Sequence, residues 1–138
     1  MAYAAARPDT LAAASDLRSY QFYWVMMDGS GTIALATGAD TTAPLAILLN
    51  EPNTGEGCEL SKPGELHPCK VGTDGVSAGN PVRIDTTIDG TIEDLDTGTD
   101  TDVMVGWATE DGVAGEIITM LTCTPIHCTD ASKLGAGL

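Results

Sequence analysis

Basic side chains are scarce in this 138-residue sequence: 6 Lys and Arg stand against 20 Asp and Glu, a formal net charge of −14. So acidic a surface repels phosphate backbones and anionic headgroups, which argues against nucleic-acid binding and against docking on a membrane. Long apolar runs are missing too. Segments such as "APLAILL" fall far short of the roughly 20 residues a membrane-spanning helix needs. Only two His occur, His67 and His127, in Pro- or Cys-bearing segments with no evident orienting partner, so no Ser-His-Asp arrangement assembles on paper. There is no Gly-x-Ser-x-Gly elbow. The Gly-rich "DGSG" (28–31) leads into no helix and has no Lys beside it, so it is not a phosphate loop. These absences predict a protein that is not an enzyme and takes no cofactor. The opening "MAYAAARPDTLAAASDL" lacks a basic start followed by an apolar core, so it reads as a cytosolic product and not as a secretory signal.

What is present is turn chemistry. Gly is abundant and Thr and Asp recur, a mix that favours strands and tight turns over long helices. The length suits one domain, or two very small units sharing a core. Residues 1–19 are Ala-rich and read as a separate N-terminal arm, with Asp9/Thr10 as a cap for a short helix through Leu17. Such an arm either frays or orders on another subunit. From Tyr20 the pattern changes to strands: "YQFYWVMM", a turn at Asp28–Gly31, a return strand, "PLAILLN", the turn "EPNTGE", then "GCEL". Pro63, Gly64 and Pro68 make "SKPGELHPCK" a loop. The strands "AGNPVRID", "TIEDLDT", "DVMVGWAT" and "EIITMLTC" follow. The expected organisation is an arm (1–19), a β domain (20–122) and a C-terminal tail (123–138). The fold class is all-β, a compact barrel- or sandwich-like domain of two similar hairpin-rich halves.

The halves are read from an internal repeat spanning about 20–60 and 78–121. "GTIALATGADTT" and "GTIEDLDTGTDTD" share a skeleton. Gly31 and Gly90, and Ile33 and Ile92, are 59 residues apart. Gly38 and Gly98, Asp40 and Asp100, Gly55 and Gly115, and Glu56 and Glu116 are 60 apart. Two copies are too few for a solenoid and suit a compact unit whose halves cover each other.

Two metal readings compete with a purely structural one. In "DTTIDGTIEDLD" (85–96), Asp85, Asp89, Gly90 and Asp96 fit part of a calcium loop, but position 3 is Thr87 and the closing Glu is missing. The neutral copy favours a solvated hairpin instead. His67, Cys69, Cys123 and Cys128 (or His127) would make a zinc set if their loops met. The same cysteines allow disulfides, with Cys58–Cys69 and Cys123–Cys128 as local pairs, and free thiols remain open as well. The aromatic segment places half its residues inward by strand alternation and leaves others, such as Tyr23, outward. Together with the arm this marks Leu11, Leu17, Tyr20 and Tyr23 as candidate contact residues.

An opening strand, "DGSGTIALAT", "PLAILLNEPNTGE" (44–56), "VSAGNPVRID" and "VGWATEDGVAGEIITML" (105–121) together resemble the small capsid decoration (cement) proteins of tailed bacteriophages, over roughly residues 20–121. The insertion "CELSKPGELHPC" and the Cys-bearing tail depart from that pattern. The resemblance implies a structural virion protein, made in the host cytoplasm, that binds the outside of the head. Its implied partners are the major capsid protein and further copies of itself, with a trimer favoured. Its implied role is to stabilise the head lattice, without enzyme activity or cofactor. A metal-stabilised (calcium or zinc) extracellular or fibre binding module is the alternative.

Overall fold

Short apolar alternations broken by Gly and Pro leave this chain little to form but strands. The computed structural model describes residues 10–38, 43–95 and 103–127, and these residues hold ten strands and no helix. The first half holds β1 (Leu11–Ala12), β2 (Trp24–Met27), β3 (Ile33–Leu35), β4 (Pro44–Ile47) and β5 (Gly57–Cys58). The second holds β6 (Leu66–Lys70), β7 (Pro81–Ile84), β8 (Ile92–Asp94), β9 (Val103–Ala108) and β10 (Ile117–His127). They form a two-stranded sheet β1-β5, a three-stranded sheet β3-β2-β4 and a five-stranded sheet β6-β10-β9-β7-β8. All named pairings are antiparallel, and the sheets pack as an all-β, sandwich-like domain.

The pairing register of one half recurs in the other. Leu11 faces Cys58 as Cys69 faces Ile118. Val25 faces Leu35 as Val82 faces Asp94, and Met27 faces Ile33 as Ile84 faces Ile92. Trp24, Val25 and Met26 face Ile47, Ala46 and Pro44, with an irregularity after Val25. Pro81, Val82 and Arg83 face Trp107, Gly106 and Met104, with the irregularity after Val82. Single bridges repeat as well: Ala13 to Ile33 and Val71 to Ile92 are both parallel. Glu56 Oε1 accepts the Asn53 N–H at 2.7 Å, and Glu116 Oε1 accepts the Val113 N–H at 2.8 Å. The turn glycines before them, Gly55 and Gly115, both have positive φ, which glycine adopts at little cost.

Apolar alternation divides the core. Along β2, Trp24 and Met26 point to one cluster and Val25 to another; Ile47 and Leu48 divide likewise. The smaller cluster holds Ala13, Leu17, Val25, Ile33, Leu48 and Cys58, the inner residues of the first half. The larger cluster joins inner residues of the second half, among them Val82, Ile92, Val105 and Met120, to Trp24, Ala36 and Ile47 of the first. Trp24 is 1% exposed, and its Nε1–H points at Met120 Sδ at 3.5 Å. Main-chain bonds seal this contact: Trp24 N–H donates to Gly90 O at 2.8 Å, Gly90 N–H to Ala36 O at 2.8 Å, and Lys70 N–H to Phe22 O at 3.1 Å.

Three sequence expectations fail here for physical reasons. The described part of the arm is neither helical nor separate: β1 pairs with β5, and the Ala13 N–H donates to Glu56 O at 2.9 Å. Small alanines are what let β1 lie close on the core. "LHPCK" is a strand and not a loop; β6 lies at a sheet edge, where Pro68 can miss a ladder bond. The tail boundary at 123 also moves, because β10 continues to His127 after an irregularity beyond Thr122 and pairs again with the start of β9.

Candidate interaction surface

Of the four contact residues expected from sequence, Leu17 is buried and Leu11, Tyr20 and Tyr23 are half-buried. Leu17 is 2% exposed, and its N–H donates to Pro52 O at 2.9 Å, so it anchors the core and offers no contact surface. Leu11 and Tyr20 are half-buried against the same cluster. Tyr20 and Tyr23 meet edge to face, ring centroids 5.1 Å apart at 88°, and burial pushes the Tyr23 phenol pKa up. The aromatic segment therefore folds on itself. Phe22 sits at φ 71, a left-handed conformation costly for a bulky residue, which breaks the strand alternation assumed for this run.

The cysteines and carboxylates are dispersed. Cys58 lies in the smaller cluster and Cys69 in the larger, both as buried free thiols, so the local 58–69 pair is not formed. Burial pushes the Cys69 thiol pKa far up, which leaves it protonated and inert. Cys123 packs instead with Leu95, Met104 and Trp107. Cys128 lies outside the described residues, as does Asp96 of the acidic loop. Among the described residues no three His, Cys, Asp or Glu come together as a metal site. His67 does have an acid partner that the sequence spacing hid: its Nε2 lies 2.8 Å from Glu65 Oε1, which holds the Glu65 carboxyl below its usual range.

Asp85 is turned inward, 1% exposed. Burial alone would raise its pKa. Bonds from the Thr87 N–H (2.6 Å), the Thr73 N–H (2.6 Å) and the Thr73 hydroxyl (3.0 Å) outweigh burial and hold it below the usual carboxylate range. It pins the loop after β6 to the β7–β8 turn, a structural use of the residue that opened the calcium reading. Asp28, its counterpart in the β2–β3 turn, is likewise lowered by the Thr32 hydroxyl and by the Thr32 and Ser30 N–H groups.

What the structure presents outward is a row that sequence reading missed. Residues directly opposed on neighbouring strands share a face. Leu66 faces Leu121 and Leu121 faces Trp107, so an apolar row crosses three strands on the outer face of the five-stranded sheet. Leu66 is 61% exposed, and Leu121 and Trp107 are half-exposed. The signal was in β6, hidden by reading it as a loop. Such a row stands out in an otherwise acidic surface.

Comparison with known protein families and with curated proteins finds no match. Among solved structures, the fold is similar to the N base of the head fiber protein gp8.5 of bacteriophage phi29, with a TM-score of 0.56 and 19% identity over 83% of this chain and 92% of that one. At that identity the likeness speaks for the fold.

Proposed function

We propose that this protein is a structural component of a phage virion that binds the outer surface of the head, contacts the major capsid protein and stabilises the lattice. The observation that carries the reading is the shared fold, which spans nearly all of the phi29 head fiber base. The acidic charge and the apolar row through Leu66 and Trp107 support a protein-binding role without chemistry. Synthesis in the host cytoplasm and assembly as a homo-oligomer, a trimer by preference, belong to the same reading. Many weak contacts repeated over a lattice would add up by multivalency.

The test is co-sedimentation with purified mature heads. Saturable binding is expected, and Leu66→Asp should weaken it about tenfold or more, by placing an unpaired charge in an apolar contact. Absence of saturable binding to mature and immature heads alike would overturn the reading. A second reading, that the domain is the base of a fibre, draws on the same neighbour. It predicts binding at a few positions per head instead of across the lattice, which the saturating stoichiometry distinguishes.

A further inference from the structure

The two halves differ sharply at one place. In the first half, Tyr20 and Leu35 pack over the cluster that contains Leu17. The register sets Ser77 in the place of Tyr20: Tyr20 O accepts the Tyr23 N–H at 3.1 Å, and Ser77 O accepts the Asn80 N–H at 3.1 Å. It sets Asp94 in the place of Leu35, since these face Val82 and Val25 respectively. Without the phenol ring and the isobutyl group, the second half has an open groove of about 290 Å³, whose lining includes Asp74, Val76, Ser77, Asp94, Val113 and Ala114.

The groove's chemistry narrows its occupant. Asp94 accepts only two long bonds, from Ser77 N–H at 3.2 Å and Asn80 Nδ2 at 3.3 Å, so its carboxylate keeps lone pairs for another donor. Neither Lys nor Arg is among the lining residues, and Val113 stands 66% exposed at the rim. An anion is repelled. A metal lacks a ligand set among the described residues. A cofactor is too large for a space at the floor of the roughly 300–1,000 Å³ range of small-molecule sites. A plain aromatic ring would fill the volume and leave the carboxylate unanswered.

We infer that this groove receives an arginine or lysine side chain of a protein partner, the aliphatic stem lying on Val76, Val113 and Ala114 and the cationic head reaching Asp74 and Asp94. Long cationic side chains bury their stems in this way while keeping the charged end polar-bound. The first half fills the corresponding space with its own side chain, and the second leaves it for one supplied from outside. The inference names the chemistry of a contact, so it stands whichever particle or protein supplies the partner.

The test is a titration of the full-length, isotope-labelled protein with Nα-acetyl-arginine N-methylamide, followed by amide shifts. Saturable shifts are expected at Ser77, Val113 and Ala114, and Asp94→Asn should weaken binding about tenfold, as for loss of a charge-assisted bond. The double change Ser77→Tyr with Asp94→Leu, which installs the first half's residues, should abolish the shifts. The single Asp74→Asn variant should weaken them and serves if the double variant does not fold. The citrulline analogue should leave these amides unmoved. Shifts elsewhere only, equal shifts with the citrulline analogue, or undiminished binding by Asp94→Asn and Asp74→Asn would each overturn the inference.

Discussion

The first half (β1–β5) and the second (β6–β10) share strand order, register, bridges and turn bonds, yet they use different side chains to meet the same backbone demands. The first half is less acidic, small-cored and largely covered; the second is more acidic, with a continuous sheet and an open groove. The difference teaches which residues serve the fold and which serve the surface. Equivalent positions with equivalent bonds, such as Glu56 and Glu116, belong to the fold. Equivalent positions with unlike chemistry, such as Leu35 and Asp94, mark where the halves were put to different use.

The largest way to break the comparison is at the contact between halves. Trp24→Ala removes a fully buried indole that joins the two, and it should cost about 3–5 kcal/mol in chemical denaturation. Pro81→Ala, at the corresponding position, removes a much smaller ring and should cost less.

Next comes a test of backbone space. Gly106 has φ +153, and a Cβ there would run into the Leu121 carbonyl oxygen. Its counterpart Ala46 carries a Cβ without such a neighbour. Gly106→Ala should therefore destabilise by about 2–4 kcal/mol, while Ala46→Gly should cost about 0.5–1 kcal/mol. Equal costs would show that the registers are not equivalent in energy.

A pH series separates the two turn aspartates. Asp85 has its folded pKa lowered, so its stabilisation is fully present above the ordinary carboxylate value of about 3.9 and is lost as pH falls through the folded value. Asp85→Asn should destabilise at neutral pH by about 1–3 kcal/mol, and the deficit should shrink on acidification below pH ~4. Asp28→Asn should show the same sign with a smaller amplitude, because Asp28 is better exposed and solvent screens it.

The smallest effect compares Phe22 (φ 71) with Gly79 (φ 84), which occupy one position: Phe22 N–H donates to Leu48 O at 2.7 Å and Gly79 N–H to Ala108 O at 2.8 Å. Gly79→Ala should cost about 1 kcal/mol from conformational strain alone, as no atom crowds its Cβ. Phe22→Gly relieves similar strain and loses a similar amount of apolar packing, so its net change in melting should fall within about 1 kcal/mol.

Much of this architecture was legible in the sequence. The hairpin at Asp28–Gly31 and the buried run from Pro44 match pairings that the structure makes. What escaped were elements whose signals conflict. β1 is two residues of Ala-rich chain, which propensity gives to a helix, and its strand state comes from pairing with β5. The clue was "SDL" (15–17) beside "TDGV" (73–76), which extends the correspondence back to Leu11 and Cys69. β6 carries a proline that only an edge position accommodates. Alternation along the aromatic run cannot foresee the left-handed turn at Phe22, which sets Tyr20 and Tyr23 edge to face. The groove escaped because it exists only as the difference between Tyr20 and Ser77, which no single stretch displays.

Native-state amide hydrogen exchange tests the equivalence of the halves most directly. Ala13 and Val71, Ala14 and Gly72, and Leu48 and Ala108 make corresponding main-chain bonds of 2.8–3.1 Å. The account predicts that both members of each pair are protected, with Ala13, Ala14 and Leu17 exchanging as slowly as a folded strand. Exchange of Ala13, Ala14 and Leu17 at the rate of an unstructured chain would contradict it and restore a free arm.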